Sequence, residues 1–374
     1  MIYREIQDVI KKRLFKGKAI ILTGSRQVGK TTLLKTVISK ELSKALFLNC
    51  DEPEVRTLLT DTNMQTLRGT IGKYKIVLID EAQRVKNIGL TLKLIIDNFP
   101  HVQLLITGSS SLDLSGKINE PLTGRKLEYH LYPFSAKELV SNSNLLTERQ
   151  SLEKRLIYGS YPDVINFPGE EKEFLLNLSD SYLYKDVLSL DTIRKPAQLE
   201  NLLVALALQL GNEVSYYELA QTISVDVQTV ERYIDLLEKS FVIFRRNAFS
   251  RNHRNEIKKG KKIYFYDNGI RNAIIQNFAP VSLRQDIGAL WENYFISERL
   301  KANHYGRHFV KSYFWRTFQQ QEIDLIEEAD GQLTAFEIKW NEKRKVKLSA
   351  TFTNNYPNTH FHVVNKSNYW NFLR

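Results

Sequence analysis

Cysteine is almost missing: Cys50 is the only one in 374 residues. That excludes an internal disulfide and any cysteine-rich zinc site. The seven histidines lack the close spacing of a metal-ligand cluster. Long apolar runs are also lacking. Stretches such as Leu202 to Leu208 fall well short of the roughly 18 residues needed for a membrane span, so no membrane partner is expected. Met1-Ile2-Tyr3-Arg4-Glu5-Ile6 carries early charges and no signal-like apolar core. With a single thiol and no export signal, the expected location is cytoplasmic. No low-complexity linker or fixed-period repeat interrupts the chain. Acidic residues are in deficit, 42 against 53 Lys and Arg, for a formal net charge of +11. That excess fits an acidic partner such as nucleic acid without requiring one. The length predicts two or three domains.

What is present is more decisive. Gly24-Ser25-Arg26-Gln27-Val28-Gly29-Lys30-Thr31 fits the phosphate-loop pattern G-x-x-x-x-G-K-[ST] at every fixed position. The two glycines let backbone N–H groups close on a triphosphate. Lys30 brings an ammonium to the β- and γ-phosphates, and Thr31 offers a hydroxyl to Mg²⁺. The context agrees with the motif. Ala19-Ile20-Ile21-Leu22 reads as a buried parallel strand before the loop, and the residues from Thr31 and Thr32 through Ile38 have helical spacing after it. The helix N-terminus then aims its amides at the phosphates. Ile76-Val77-Leu78-Ile79-Asp80-Glu81 is a second buried strand ending in two carboxylates. Asp80 is expected to hold Mg²⁺ through water, and Glu81 to polarise the attacking water.

Two further positions join this expected nucleotide site. Leu104-Leu105-Ile106-Thr107-Gly108-Ser109-Ser110 ends a buried strand in a polar cluster, where Thr107 can orient the lytic water. A simple Gly/Ser turn is the other reading. Arg125, after Gly124, can stabilise transition-state charge from the same chain or a neighbouring copy, or be an ordinary surface residue. Lys30, Glu81 and Arg125 are thus the expected catalytic residues.

The first 140 residues alternate strands and helices, with strands at Ala19–Leu22, Ala45–Leu48, Ile76–Ile79 and Leu104–Thr107. That order predicts an α/β fold with a parallel sheet covered on both faces. A helical connector is expected over 141–195, broken at Gly159-Ser160-Tyr161-Pro162 and resuming through Tyr182-Leu183-Tyr184-Lys185-Asp186-Val187. Over 196–270 come an apolar helix at Leu199–Leu210, two short helices at Ser215–Ala220 and Asp226–Leu237, and a hairpin of Phe241–Phe244 with Lys262–Phe265. Two short helices followed by a hairpin predict a winged helix-turn-helix. The remainder, over 280–374, reads as a helix at Gly288–Lys301 followed by strands at Tyr313–Trp315, Glu322–Glu327 and Leu333–Trp340.

The hairpin region from 245 to 262 holds Arg245, Arg246, Arg251, Arg254, Lys258, Lys259, Lys261 and Lys262 against Glu256 alone. Such a wing can track a phosphate backbone, with the Asp226–Leu237 helix near the major groove. Glu231 and Asp235 on that helix disfavour a polyanion, so a packing or protein-docking role stays open. Farther on, Glu292 lies on a helix, with Asp324 and Glu337-Ile338-Lys339 on consecutive strands. Strand alternation puts Glu337 and Lys339 on one face. Three carboxylates and a lysine so placed can assemble a Mg²⁺ site for phosphodiester cleavage, or form a solvated Glu–Lys face.

Together Gly24–Thr32, Asp80-Glu81-Ala82-Gln83, Thr107-Gly108-Ser109-Ser110, Gly124-Arg125 and Tyr132-Pro133-Phe134 resemble prokaryotic AAA+-type ATPases with a C-terminal DUF4143 domain. The likeness continues through Gly159-Ser160-Tyr161-Pro162, Tyr266-Asp267-Asn268-Gly269, Trp291-Glu292-Asn293, Gln321-Glu322-Ile323-Asp324 and Glu337-Ile338-Lys339. It implies an ATPase core, a winged helix and a restriction-endonuclease-like C-terminal fold. On that fold Glu292, Asp324, Glu337 and Lys339 match the PD-(D/E)XK nuclease pattern, with Glu322 and Asp324 in place of the usual proline-aspartate entry. The resemblance implies ATP and Mg²⁺ as ligands. The resulting expectation is a Mg²⁺-dependent ATPase whose C-terminal modules engage DNA, a protein partner or further copies of the chain. Its rivals are a slow nucleotide-dependent switch with an inactive nuclease fold, and an ATP-regulated metal-dependent DNA nuclease.

Overall fold

The structure, a computed structural model, describes residues 2–108, 121–182, 195–251, 260–317, 319–344 and 346–374. Expectations placed on Ser109, Ser110, residues 183–187, Arg254, Glu256, Lys258 and Lys259 lie outside the described residues. The chain divides into two compact units, Met1–Pro133 with Lys239–Phe241, and Phe134–Glu238 with Val242–Arg374.

The first unit is built on five parallel strands: β1 (Ala19–Thr23), β2 (Ala45–Asn49), β3 (Ile76–Asp80), β4 (Gln103–Gly108) and β5 (Lys126–His130). Their order is β2-β3-β4-β1-β5. β1, β3 and β4 are buried at every position, which is why they read as unbroken apolar runs. β5 carries Lys, Glu and His and is only partly buried, so its apolar signal is weak. Helices α1 (Ile6–Lys11), α2 (Lys30–Val37), α3 (Pro53–Leu59), α4 (Met64–Ile71) and α5 (Ile88–Asn98) complete the unit. Leu59, Leu67, Ile71, Leu92 and Ile95 from α3, α4 and α5 pack with Ile21, Val77, Ile79 and Ile106 of the sheet in one core.

The second unit opens with short helices α6 (Ala136–Asn142), α7 (Leu145–Gln150), α8 (Leu152–Tyr158) and α9 (Pro162–Asn166), then α10 (Glu171–Tyr182) and α11 (Pro196–Leu208). A two-residue strand β6 (Glu213–Val214) precedes α12 (Tyr216–Thr222) and α13 (Val227–Lys239). Ser215 caps α12 by accepting a hydrogen bond from Glu218 N at 3.3 Å. Next come β7 (Ile243–Ala248), β8 (Lys261–Phe265), α14 (Asn268–Ile274) and α15 (Ile287–Tyr305). The chain ends through β9 (Lys311–Arg316), β10 (Glu322–Ala329), β11 (Gln332–Ile338), α16 (Ala350–Asn355) and β12 (Thr359–Val364).

The helix–helix–hairpin order falls where the sequence places it. The hairpin, however, is not a separate wing. It joins one seven-stranded sheet in the order β12-β11-β10-β9-β7-β8-β6. Parallel pairing of Asn247 with Tyr313 and Ala248 with Phe314 makes the join. Trp291 and Phe295 of α15 pack with Tyr264, Leu325 and Phe336 in one core. Phe249, Trp315, Ile323, Ile326 and Phe352 form another. The β10–β11 turn uses Asp330 and Gly331 at φ 49° and 80°, the left-handed pair that tight hairpins favour. Among the described residues no helix is long and apolar enough to cross a membrane.

Candidate functional site

The phosphate loop springs from the C-terminal end of β1 into α2. Gly24 sits at φ 149°, and a Cβ there would lie 2.2 Å from the Leu131 carbonyl oxygen. No larger residue fits. Gly29 caps α2 at φ 90°, with nothing within 4 Å of where its Cβ would stand. That bare surface at a helix N-terminus suits a phosphate group. The Lys30 ammonium is buried and donates to the carbonyls of Gly24 and Ser25, each at 2.9 Å. Ser25 and Val28 are buried in the loop, while Gln27 and Thr32 are exposed and Arg26 is half-buried.

The strand order puts β4 between β1 and β3. The tip of β4 therefore lies between the loop and the acidic pair. Thr31 Oγ1 donates to Asp80 Oδ1 at 2.6 Å, and Thr107 Oγ1 donates to the same oxygen. Thr107 Oγ1 also accepts from Glu81 N at 3.0 Å. Glu81 adopts φ 51° at the turn after β3, and its Oε2 accepts from Gln83 Nε2 at 2.5 Å. Thr31, Asp80, Glu81 and Thr107 are thus brought together in one hydrogen-bonded chain beside Lys30. Their chemistry fits a triphosphate with a divalent cation: an ammonium, a hydroxyl and a carboxylate at a loop whose backbone lies open.

One contributor has no local sequence signal. Arg4 is buried, and its guanidinium donates to Val28 O at 3.1 Å and Tyr132 O at 2.5 Å. It ties the loop's apolar residue to the segment after β5, contacts separated by 24 and 128 positions in the chain. Arg125 is not part of the cluster. It precedes β5, and its carbonyl accepts from Ala19 N at the start of β1, on the sheet edge opposite the loop. Five residues of strand, about 16 Å, intervene. Its side chain pairs with Asp97 at 2.8 Å near the end of α5. The expectation that it acts on its own chain's nucleotide fails on this geometry.

The C-terminal carboxylates form a different constellation. Asp324 of β10 and Glu337 of β11 each adjoin the paired residues Leu325 and Phe336, and Asp324 lies at a register irregularity of β10 on β9 between Ile323 and Ile326. Such a bulge re-aims a side chain. The Lys339 ammonium pairs with Asp324 Oδ2 at 2.9 Å and Glu337 Oε2 at 2.7 Å, while Ile338 N donates to Asp324 Oδ2 at 2.7 Å. Glu292 on α15 accepts from Tyr264 Oη at 2.7 Å and pairs with Lys262 at 3.3 Å. Lys262 also pairs with Glu322. Among the described residues no three His, Cys, Asp or Glu side chains come together as a metal-binding group. At the expected Glu292–Asp324–Glu337 metal site, two ammonium groups, Lys262 and Lys339, are bonded to the carboxylates.

Three domain families match the chain in turn. An AAA domain matches residues 16–140, a domain of unknown function (DUF8612) matches 149–281, and a domain of unknown function (DUF4143) matches 287–370. The chain carries an AAA domain and a DUF4143 domain. An uncharacterized protein of Mycobacterium tuberculosis is 28% identical over 343 residues, covering 90% of this chain and 73% of that one. An uncharacterized protein of Methanocaldococcus jannaschii is 24% identical over 365 residues, covering 90% of this chain and 79% of that one. The crystal structure of a DNA replication initiation factor aligns at 13% identity and a TM-score of 0.26, over 63% of this chain and 86% of that one. That TM-score is too low to bear on the fold.

The AAA match contains the phosphate loop, Asp80, Glu81 and Thr107, whereas the DUF4143 match contains Glu292, Asp324, Glu337 and Lys339. Lys262 comes from outside the DUF4143 segment, and within the basic hairpin it is buried. Its fellow wing residues are engaged as well. Arg245 pairs with Asp235 and Glu238. Arg246 lies 4.7 Å from the Phe244 ring, Lys261 4.8 Å from that of Tyr216, and Arg251 5.5 Å from that of Tyr356. Arg245 and Lys262, held by carboxylates, offer a polyanion less than unpaired cations would.

Burial, aided by Asp324, pushes the carboxyls of both Glu292 and Glu337 up to about 7. Burial opposes the charge on Lys339 and Lys262, but the surrounding carboxylates outweigh it and hold both ammonium groups above their usual range. The two raised carboxyls give a pH dependence with a definite sign. Between about pH 4.5 and 7 the native state keeps protons that the unfolded chain releases, so stability falls as pH rises through that window. The expected loss is on the order of a few kcal/mol. Urea denaturation at pH 5 and pH 7.5 should show it, with a shallower slope in Glu292→Gln; an equal slope would contradict the assignment.

Proposed function

We propose that this chain binds ATP with Mg²⁺ at Gly24–Thr31 and hydrolyses it, and that its C-terminal unit responds to the nucleotide state by engaging DNA or a protein partner. The observation that carries the reading is the chain Thr31–Asp80–Thr107–Glu81 beside the buried Lys30.

In this reading bound ATP–Mg²⁺ supplies the phosphoanhydride to be cleaved. Lys30 leaves the two loop carbonyls and places its charge against the phosphates. Thr31 and Asp80, already hydrogen-bonded, turn their oxygens to the cation. Glu81, held by Gln83, accepts the proton of the attacking water. Thr107 fixes the Glu81 backbone and so the position of that carboxylate. Arg4 positions the loop from behind through Val28 O. Arg125 is left out of this catalytic set.

For the C-terminal unit the pairing of Arg245 and the burial of Lys262 favour a protein partner over direct wing–DNA contact. A nuclease reading draws no support from a cluster in which lysines are bonded to Glu292, Asp324 and Glu337.

The test is ATP binding and phosphate release by the full chain with and without Mg²⁺, beside Asp80→Asn. Turnover should require Mg²⁺ and fall by about 10²-fold in the variant, as for loss of one preorganised electrostatic group. Wild-type protein that neither binds nor hydrolyses ATP would overturn the proposal.

A further inference from the structure

We propose that the carboxylate cluster of the C-terminal unit is a metal-independent charge clamp, in which the ammonium groups of Lys262 and Lys339 take the place of a divalent cation. The inference stands apart from the nucleotide reading, since every residue in it belongs to the second unit.

Four acidic side chains contribute: Glu292 from α15, Glu322 and Asp324 from β10, and Glu337 from β11. A Mg²⁺ or Ca²⁺ ion needs several of their oxygens within roughly 2.0–2.6 Å of one centre. They are instead used by nitrogen and hydroxyl donors. Asp324 Oδ2 accepts from both Lys339 Nζ and Ile338 N. Glu337 Oε2 is held by Lys339 at 2.7 Å. Glu292 Oε1 is shared by Tyr264 Oη and Lys262 Nζ. A dication entering here would meet two ammonium groups at short range, both kept charged by the same carboxylates it would need.

Lys262 explains why the clamp exists. It starts on β8, and its ammonium lies 5.6 Å from the centre of the Phe314 ring of β9 and between Glu292 and Glu322. It is 1% exposed, so the whole side chain is committed to this path. β7 meets β9 at only two paired positions, a thin join for the hairpin within the larger sheet. Lys262 spans that join and reaches β10 beyond it. Lysine is well suited to the task, because its long stem stays buried while its tip reaches both acids.

The experiment is Mn²⁺ titration of the nucleotide-free full chain, followed by paramagnetic resonance of unbound Mn²⁺ and by thermal unfolding. Asp80→Asn serves as the background that removes the first unit's cation ligand. Expected are no saturable Mn²⁺ binding below about 1 mM in that background, as for weak carboxylate sites, and unchanged melting with the metal. Adding Lys262→Met should lower the melting temperature and create Mn²⁺ binding at least tenfold tighter, which Glu337→Gln then cancels. Lys262→Arg should behave as wild type. Saturable Mn²⁺ binding with Lys262 intact that disappears in Glu337→Gln would overturn the proposal. So would wild-type melting in Lys262→Met. If Lys262→Met fails to fold, the titration with Lys262 intact decides alone. ATP binding measured on the same proteins separates failure of this inference from failure of the nucleotide reading.

Discussion

Lys30→Ala is expected to weaken ATP binding by about 10²-fold or more, while Glu81→Gln keeps ATP bound and unhydrolysed. The two residues fail differently because they do different work. Lys30 is buried with its ammonium on the carbonyls of Gly24 and Ser25. Moving from two neutral acceptors to a polyphosphate is downhill for that charge. Hydrogen bonds involving a charged group contribute about 1.5–3 kcal/mol each. Losing two of them corresponds to a few orders of magnitude in affinity. Glu81→Gln preserves shape and the backbone bond to Thr107, and removes only the capacity to take a proton. Loss of a positioned base costs about 10²–10⁴ in rate. Calorimetric binding and phosphate release, measured on both variants and the wild type, check the split. Three proteins that bind and turn over ATP alike would show that the phosphate loop is not the nucleotide site.

Much of the first unit was legible because its signals are local. β1, β3 and β4 are buried along their whole length, so each is an apolar run, and the loop motif sits between the first of them and a helix of ordinary periodicity. β5 escaped notice because an edge strand half in solvent carries Lys126, Glu128 and His130. Arg4 escaped for another reason: its contacts with Val28 and Tyr132 span 24 and 128 residues, and no window of sequence contains both ends. Arg125 stands away from the loop because proximity to a motif in the chain says nothing about which end of a sheet a residue occupies. Only the parallel register of β5 on β1 reveals that it faces away from the loop.

The second unit shows the same divide. Helices α11, α12, α13 and α15 and strands β7 to β11 fall where periodicity places them, whereas β6, α14, α16 and β12 carried no such signal. That the basic hairpin joins the C-terminal sheet was not readable, since pairing of Asn247 with Tyr313 is a contact across 66 positions of sequence. Lys262 suffered most from this. A lysine in a cation-rich stretch reads as surface, and only the fold brings two carboxylates to it.

Asp267→Ala is expected to destabilise the second unit by about 3–5 kcal/mol, as for breaking a buried network around a charged group. Asp267 is buried at the start of α14, and its Oδ2 accepts from Ser160 N at 2.8 Å. Its Oδ1 accepts from Gly269 N at 2.8 Å and Ile270 N at 3.3 Å. Alanine would leave three N–H groups without that acceptor. Gly159→Ala should come close to the same loss by steric means: its φ is +69°, and a Cβ would stand 1.9 Å from Asp267 Oδ1. Nearby, Asn293 donates to Asn268 Oδ1 at 2.6 Å and to Phe265 O at 3.0 Å, and accepts from Phe265 N at 2.8 Å. The segments Gly159-Ser160, Asp267-Asn268-Gly269 and Asn293 therefore meet in one buried polar knot that holds α14 and α15 against the end of β8. Denaturant titration of both variants measures the effect, and a change below about 0.5 kcal/mol, the size of an ordinary surface substitution, would refute it. ATP binding by the folded fraction should stay at the wild-type level, because no residue of the phosphate site belongs to the knot. The geometry makes these polar residues architectural: each donor and acceptor named here is spent on backbone or on another member of the knot, with Asp267 4% exposed.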